Sequence, residues 1–526
     1  MRRAKACAAC RQRRRRCEVR TQGFPCVYCF DRGLSCTISD TPTKSDSQFE
    51  HHYTPESIDT ASTAGCDRIQ KGNGFSTPQS LCSELTQLYF DYVHDQLHTL
   101  FHQPSFMKDL SEGKVTPILI YGIMALSARF STNSVFSGTD PRERGKNYAK
   151  ECERLLDWKD VSLTTLHACV LLGAIAITDG NPALENIYYT VACRIAQLLD
   201  LPNRQTKSLV EHEINIRTWW TLCMIDVWSS SGVRLPRLLT PTSDVPLPMD
   251  EVTFLNISPD QGFLGPIGDP KRSSLLAEMV RLNHILFQIN QYNIRASELN
   301  LDVQSSLEDV EDLSAQLNTW LEQLPDHMRD TRENLVCYAE QGLGRPFVAL
   351  YLGYYNYGQM LFYRFLHESL RRSTTRALYY AQKCKDHASN LCEIVYSSSE
   401  VPGCDVKYNM VAHVLVIAST IQIHTLLFDG LDANLRVAKS RLEKNFSILT
   451  DLVRLWPTLD VCMDRLMAFH TACRESADTS FCMDQWMVRF LVEFANPVDD
   501  KRSRPVGEDQ WSLAELGILS NQTQNR

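Results

Sequence analysis

The sequence predicts a mostly α-helical protein with three parts: a small metal-binding module at the N-terminus, a flexible linker and a large all-α body. Three observations lead to this prediction. Six cysteines lie within the first 36 residues. Residues 37 to about 80 are rich in Ser, Thr, Asp, Gly and Pro and contain almost no aliphatic side chains. Beyond them, apolar residues recur at helical spacing and period-two alternation is rare.

The composition is that of a soluble globular protein with an uneven charge distribution. At 526 residues, with 44% hydrophobic and 22% charged residues, the chain is long enough for two to four domains. Residues 1–36 hold ten Lys/Arg and two Asp/Glu, a formal charge of +8, whereas the rest of the chain carries −16. This asymmetry indicates a polyanion-binding head on a body that we do not expect to bind nucleic acid.

The sequence gives no sign of secretion or of a membrane anchor. The best apolar run, Leu166–Ile177, is shorter than the roughly 20 residues of a membrane helix and contains His167. Because 19 cysteines occur without a secretory signal, we expect a reducing compartment and no disulfide framework.

The N-terminal cysteines form two equal half-motifs of spacing C-x2-C-x6-C. The first half is Cys7, Cys10 and Cys17, and the second is Cys26, Cys29 and Cys36. Thiolates suit tetrahedral zinc, and a C-x2-C turn brings two sulfurs to one metal. Two tetrahedral zinc ions have eight coordination positions, but the motif supplies only six sulfurs, so two cysteines must bridge the metals. The motif therefore predicts a cofactor of two zinc ions per chain.

Basic residues distinguish the two halves of the module. Between Cys10 and Cys17 the chain carries Arg11, Arg13, Arg14, Arg15 and Arg16, whereas the matching stretch of the second half holds only Arg32. Arginine suits phosphates and the O6 and N7 acceptors of guanine. Six thiolates and two zinc ions add −2, which leaves the head at about +6 and predicts strongly salt-dependent DNA binding.

Three other interpretations of the module are weaker. Disulfides conflict with a reducing compartment, and an RNA-binding zinc knuckle would include a histidine ligand, which this stretch lacks. A purely structural zinc site would not need five arginines between Cys10 and Cys17. Double-stranded DNA is therefore the expected partner.

The module resembles the fungal zinc binuclear cluster transcription factors. The similarity includes Cys7-Ala8-Ala9-Cys10-Arg11, the basic run ending at Cys17, and Pro25 before Cys26. The resemblance implies that Cys7 and Cys26 bridge the metals and that Arg13 and Arg14 contact bases of CGG-type triplets. Family members usually have lysine where this chain has Arg14.

We predict four segments: the zinc cluster (1–40), the linker (41–80), the helical body (81–496) and a polar tail (497–526). The linker has no heptad pattern, so the protein either binds DNA as a monomer or forms a homodimer through its body. In the tail, Asp509–Leu516 mixes acidic and large apolar residues, which fits either an activation segment or a terminal helix.

The body resembles the fungal-specific regulatory domain found downstream of such clusters, over residues 85 to about 350. Predicted helices include Thr165–Ile177 and Tyr188–Leu201. The resemblance rests mainly on Arg217-Thr218-Trp219-Trp220, followed by Asp226, Ser230 and Gly232 and then by Asp244-Val245-Pro246-Leu247-Pro248. Two additional residues separate Gly232 from Pro236 relative to the family pattern.

Other residues of the body invite functional interpretations that we consider weaker than structural ones. His94, His98 and His102 have helical spacing, but the glutamate of a zinc-protease helix is missing, so we expect half-buried or surface histidines. Trp219 and Trp220 are expected to anchor the core, and the 13 cysteines beyond Cys36 to be small buried residues. Without a phosphate-binding loop, dinucleotide fingerprint or nucleophile elbow, no enzyme is predicted.

The sequence as a whole predicts a nuclear, sequence-specific transcription factor of RNA polymerase II genes. Its partners would be DNA and transcription coregulators, and the resemblance implies a metabolic or biosynthetic gene set. The alternative is a zinc-containing nuclear scaffold or corepressor whose head binds protein or RNA.

Overall fold

The computed structural model describes residues 77–240, 244–258, 273–298, 303–498 and 501. All of them lie in the larger of two compact units, Thr63–Arg526. The predicted zinc cluster, the linker up to residue 76 and nearly all of the tail lie outside the described residues. Within those ranges the fold consists of helices without a β-strand, which confirms the mostly α prediction.

Eight helices cover the first part of the body: α1 (Gln79–Tyr92), α2 (Gln103–Ser111), α3 (Pro117–Ser127), α4 (Lys146–Leu155), α5 (Leu163–Thr178), α6 (Pro182–Leu198), α7 (Leu209–Val233) and α8 (Glu251–Leu255). Eleven follow: α9 (Leu275–Glu298), α10 (Val303–Gln323), α11 (Arg332–Glu340), α12 (Gly344–Phe362), α13 (Glu368–Arg371), α14 (Thr375–Glu400), α15 (Met410–Phe428), α16 (Asp432–Val453), α17 (Leu459–Glu475), α18 (Ala477–Ser480) and α19 (Gln485–Val492). Short 3₁₀ turns connect several of them.

Local capping sets the ends of the two predicted helices. Helix α5 begins after Ser162, whose side chain accepts a hydrogen bond from the Thr165 N–H. Helix α6 begins at Pro182, earlier than the expected Tyr188, because Asn181 caps it and proline fits the first helical position. It ends at Leu198, and Asp200 beyond it adopts a left-handed conformation with φ of 46°.

Two apolar clusters form the interior. The N-terminal core contains buried residues between Leu81 and Leu239. The C-terminal core contains buried residues between Val227 and Leu491. Leu97, Phe130 and Trp228 pack against both clusters. The two cores therefore meet along a seam within one body.

Polar contacts also join the two parts of the body. Arg129 is buried, donates to the Leu455 carbonyl over 3.0 Å, and places its guanidinium 4.1 Å from the centroid of the Trp456 ring. The Thr458 N–H donates to the Thr178 carbonyl over 3.1 Å. These contacts fasten the C-terminal part against the ends of α3 and α5.

The most apolar long helix is α15, so the sequence-based choice of Leu166–Ile177 as the best membrane candidate was wrong. Met410–Phe428 is long and apolar enough to cross a membrane, and 83% of its most apolar window is buried inside the fold. A core helix has these properties too, because the surrounding helices cover its apolar side chains.

Candidate functional site

The predicted zinc ligands and DNA contacts lie outside the described residues. These are Cys7, Cys10, Cys17, Cys26, Cys29 and Cys36 for zinc, and Arg11, Arg13, Arg14, Arg15 and Arg16 for DNA. Their roles stay predictions. Among the described residues, no group of three or more His, Cys, Asp or Glu side chains is placed to hold a metal ion.

The three histidines after α1 do not share a helix face. Helix α1 ends at Tyr92, and Asp95 takes a left-handed turn with φ of 60°. His94 accepts from the Leu100 and Phe101 N–H groups, at 3.1 Å each, and His102 caps α2. All three histidines are buried, so the expectation of half-buried or surface side chains was wrong. They organise the turn that joins α1 to α2.

His98 completes this turn on its inner side. Its Nε2 lies 2.8 Å from the Tyr89 hydroxyl, and burial lowers the pKa of His98 to about 3. Burial also lowers the pKa of the nearby His167 on α5 to about 3. Both imidazoles are therefore neutral at physiological pH, as expected for core histidines.

A buried ion-pair cluster surrounds Arg217 on α7. Its guanidinium contacts Glu213 over 2.9 Å and Glu251 over 3.7 Å, and lies 4.2 Å from the centroid of the Phe254 ring. Arg217 is 2% exposed. Burial raises the pKa of Glu213 to about 7, although Arg217 acts in the opposite direction. Removing one partner from such a buried cluster should strongly lower the stability of the fold, because the remaining charges stay buried without compensation.

Glu251 connects this cluster to helix α9. Its carboxylate accepts from the Ser274 hydroxyl over 2.6 Å and from the Leu275 and Leu276 N–H groups over 2.9 and 3.1 Å. It thus satisfies backbone donors in the first turn of α9, which attract negative charge. Arg217 also donates to the Met249 carbonyl, so one side chain ties α7 to the segment before α8.

The other family-like residues of α7 hold the same connecting segment. Trp220 donates to the Pro246 carbonyl over 2.8 Å, and Asp226 accepts from the Leu238 and Leu239 N–H groups. Both tryptophans, Trp219 and Trp220, are buried in the N-terminal core, as predicted. After Gly232, α7 ends at Val233, and Arg234 follows it in a left-handed conformation with φ of 56°.

These contacts identify the Arg-Thr-Trp-Trp stretch as a structural anchor. The sequence pattern singled out Arg217, Trp220 and Asp226, but it missed Glu213 and Glu251 because their partners are distant in the chain. A carboxylate one helical turn before Arg217 was the available signal for Glu213. These contacts fasten the segment between α7 and α8 to α7. They do not place an acid, a base and a nucleophile together in one cleft.

Most of the described cysteines of the body are small core residues, as predicted, but the prediction was wrong for the exposed Cys337. Of the twelve that are described, ten are buried, Cys337 is exposed and Cys482 is intermediate, and none is in a disulfide. Burial raises the pKa of Cys152 and Cys169 to about 12, so both remain protonated thiols. A protonated, buried thiol is a poor nucleophile and a poor metal ligand.

Two family models match the chain. The model of the fungal Zn(2)-Cys(6) binuclear cluster domain matches residues 5–45, and the model of the fungal specific transcription factor domain matches residues 86–322. Together they cover slightly more than half of the sequence. The second range includes α2 to α9, and with them the Arg217 cluster.

Curated relatives from two fungi are similar to parts of the chain. An uncharacterized transcriptional regulatory protein of Schizosaccharomyces pombe is 29% identical over 34% of this chain and 20% of its own length. The Zn(2)-C6 fungal-type transcription factor FTF1a of Fusarium oxysporum is 29% identical over 31% of this chain and 17% of its own length. A second regulatory protein of S. pombe is 21% identical over 51% of this chain and 37% of its own length.

The alignments thus span between about a sixth and well under half of these relatives' own lengths. The family is a class of transcription factors, which are not enzymes, so the prediction of a non-enzyme is confirmed. The paired domain matches and the names of the relatives agree with the resemblance seen in the cysteine and Arg-Thr-Trp-Trp motifs. The chain belongs to the fungal Zn(2)-Cys(6) transcription factor family.

Proposed function

We propose that the protein is a nuclear transcription factor of RNA polymerase II genes that reads CGG-type triplets through its N-terminal zinc cluster. The observation that carries this proposal is the repeated C-x2-C-x6-C motif, with its basic run, inside the matched range 5–45. Charge and metal chemistry both favour duplex DNA over other partners of this head.

The donor set of the module fits two zinc ions. Six thiolates within 30 residues supply soft ligands, and the stretch contains no histidine that would indicate another ligand set. Cys7 and Cys26 would bridge, and the other four cysteines would each bind one metal. When bound, zinc supplies the fold of the module, since metal binding and folding are coupled in such small domains.

The arginines divide into base-reading and phosphate-binding groups. Arg13 and Arg14 would enter the major groove, where a bidentate guanidinium matches guanine O6 and N7. Arg11, Arg15 and Arg16 would contact phosphates and fix the register on the duplex. The second half of the module, with Arg32 alone between its last two cysteines, would mainly complete the metal site.

The acidic body would carry regulation and not DNA contact. The chain beyond residue 36 carries a formal charge of −16, which opposes binding to a polyanion. Coregulators, or a second copy in a homodimer, are therefore the partners we propose for the body. Family resemblance supports a metabolic or biosynthetic gene set as the target.

Binding selection on random duplex DNA with the full chain tests this proposal. Enrichment of sites that contain CGG is expected, with affinity that falls steeply as salt rises. Salt-sensitive binding without an enriched sequence would contradict the proposal and favour the scaffold or corepressor alternative. A zinc-chelated sample is the control, because loss of metal should abolish enrichment while leaving the body folded.

A further inference from the structure

A cavity of about 110 Å³ lies at the seam between the two cores. Leu97 and Trp228, which pack against both cores, line it. Its other walls come mainly from α9, α12, α15, the end of α19 and Phe494 beyond it. A molecule in this cavity would contact both halves of the body at once.

The wall of the cavity is mainly apolar and carries no permanent charge. Met279, Leu286, Leu352 and Val414 represent the aliphatic and thioether groups that line it. Among the described residues that line it there is no Asp, Glu, Lys or Arg, and its single histidine, His413, is neutral because burial lowers its pKa to about 3. Such a wall disfavours ions, because a charge would lose its hydration without gaining a counter-charge.

Two buried amides in this wall each leave a carbonyl oxygen without a partner among the described residues. Gln96, 8% exposed, donates through Nε2 to the Asp91 carbonyl over 3.1 Å, and its Oε1 is unpaired. Asn290, 4% exposed, donates through Nδ2 to the Ser231 hydroxyl over 3.4 Å, and its Oδ1 is unpaired. Both oxygens are enclosed by neighbouring atoms, and an unpaired buried acceptor is costly. A ligand that brings a donor would therefore favour rotation of either amide towards the cavity.

The available space fits a small ring better than a chain of waters. Two further cavities, of about 40 and 50 Å³, share Leu97 and Trp228 with the first. Buried water needs two to four polar partners, whereas apolar cavities of about 150 Å³ remain dry and accept benzene-sized molecules. The wall combines apolar side chains with two amides whose carbonyl oxygens are unpaired. A ligand with both an apolar body and a hydrogen-bond donor therefore matches this wall better than water does.

We propose that this seam cavity binds a small uncharged molecule with an apolar body and at least one hydroxyl or amide N–H donor, which pairs with Asn290 or Gln96. The site lies in the body and is independent of the DNA-reading head. Its ligand would favour the arrangement in which the two cores close on it.

Three probes of equal size test the class of ligand on the full chain: cyclopentanol, methylcyclopentane and the cyclopentylammonium ion. Their dissociation constants can be measured by ligand-observed NMR. We expect saturable binding of cyclopentanol, and binding of the ammonium ion at least roughly tenfold weaker because its charge is not compensated. Equal affinity for the alcohol and the ammonium ion, or no saturable binding of any probe, would overturn the proposal.

Replacement of the unpaired amides tests the donor contact separately. In Asn290→Leu or Gln96→Leu the preference for cyclopentanol over methylcyclopentane should fall roughly fivefold, the effect of losing one hydrogen bond. The hydration of each free probe is the same for both proteins, so it cancels when the ratio of the two dissociation constants is compared between variant and parent. An unchanged ratio in both variants would show that neither carbonyl pairs with the ligand and would refute this assignment.

Gly353 on α12 provides a way to fill the cavity without breaking the fold. A Cβ there would lie 3.4 Å from the Met279 sulfur, an ordinary contact, and glycine is unfavourable within a helix. Gly353→Leu should weaken cyclopentanol binding roughly tenfold. Gly353→Ala, the matched control, gains the same helical preference but fills less space, so it should retain most of the binding. Full binding by a folded Gly353→Leu protein would place the probe elsewhere and overturn the proposal.

Discussion

The head and the body of this protein encode their properties in different ways. In the head, the proposed function follows from the identity and spacing of a few residues: six cysteines would bind two zinc ions, and five arginines between Cys10 and Cys17 account for most of the positive charge. In the body, the Arg-Thr-Trp-Trp motif has a structural role, because Arg217 and Trp220 fasten the segment between α7 and α8 to α7. The spacing of nearby residues is therefore informative for a metal-dependent module. In the body, where apolar burial determines the fold, contacts between residues distant in the chain must be known.

The largest expected effect comes from a substitution that should disrupt the head and leave the body unchanged. Cys17→Ser replaces a thiolate with a poor zinc ligand, so the module should lose metal and fold together. We expect zinc content to fall, and affinity for a selected site to drop by about 10³-fold, to the level of non-specific binding. The melting temperature of the body should not change.

Cys337→Ser is the matched control for this prediction. Cys337 is an exposed free cysteine of the body, so its replacement should leave both zinc content and DNA affinity unchanged. Unaltered zinc content in Cys17→Ser would contradict the ligand assignment.

The next effect tests whether the Arg-Thr-Trp-Trp stretch is structural. Arg217→Met leaves the buried Glu213 and Glu251 without their cation, which should destabilise the body by about 3–5 kcal/mol in chemical denaturation. Arg154→Met, which breaks an exposed pair with Glu151, should cost no more than about 1 kcal/mol. A stable Arg217→Met body with an altered function would instead identify Arg217 as a binding residue.

The pH dependence of the body offers a smaller effect with a definite sign. Burial lowers the pKa of His424 to about 3, whereas the unfolded side chain titrates near 6.5. Its contribution to stability is therefore complete above pH 6.5 and is lost as pH falls towards 3, at about 1.4 kcal/mol per pH unit. Burial raises the pKa of Glu185 to about 8, which acts in the opposite direction, so a single-residue comparison is cleaner than the profile of the whole protein.

His424→Gln makes that comparison. The glutamine amide can still donate to the Leu366 carbonyl, which lies 2.9 Å from His424 Nε2, but it does not titrate. Between pH 6.5 and 5, the variant should therefore lose about 2 kcal/mol less unfolding free energy than the parent protein. Parallel profiles would mean that His424 is not held neutral by the fold.

An effect of similar size is expected from a comparison of two glycines of the same helix. At Gly358 a Cβ would overlap with the His387 ring of α14, so Gly358→Ala should destabilise the body by about 1–3 kcal/mol. Gly353→Ala finds only ordinary contacts and should be neutral or stabilising by up to about 1 kcal/mol. Equal melting temperatures for the two variants would contradict the close approach of α12 and α14.

Helical periodicity was sufficient to predict that the body is helical, but not the ends or connections of its helices. Helix α5 was predicted to within two residues because its apolar run and its Ser162 cap are local signals. The histidines after α1 were misjudged because the left-handed Asp95 turns the chain inward. Their burial depends on side chains such as His167, which is distant in the sequence.

The functional residues of the head were proposed from sequence alone because metal ligation imposes a short, regular spacing. The seam cavity could not be proposed in that way. Gln96 and Asn290 are ordinary amides in the sequence, and only the fold brings the turn after α1 and helix α9 to the same cavity beside Trp228.

The central claim is that the first half of the zinc cluster reads bases while the second half mainly completes the metal site. Affinities of Arg14→Ala and Arg32→Ala for a selected CGG site and for its single-base variants, at constant salt, test it most directly. For Arg14→Ala we expect a loss of about 1–3 kcal/mol and relaxed preference at one base, whereas Arg32→Ala should show a small loss on every sequence. An equal loss on all sequences for Arg14→Ala, or relaxed base preference in Arg32→Ala, would contradict the account.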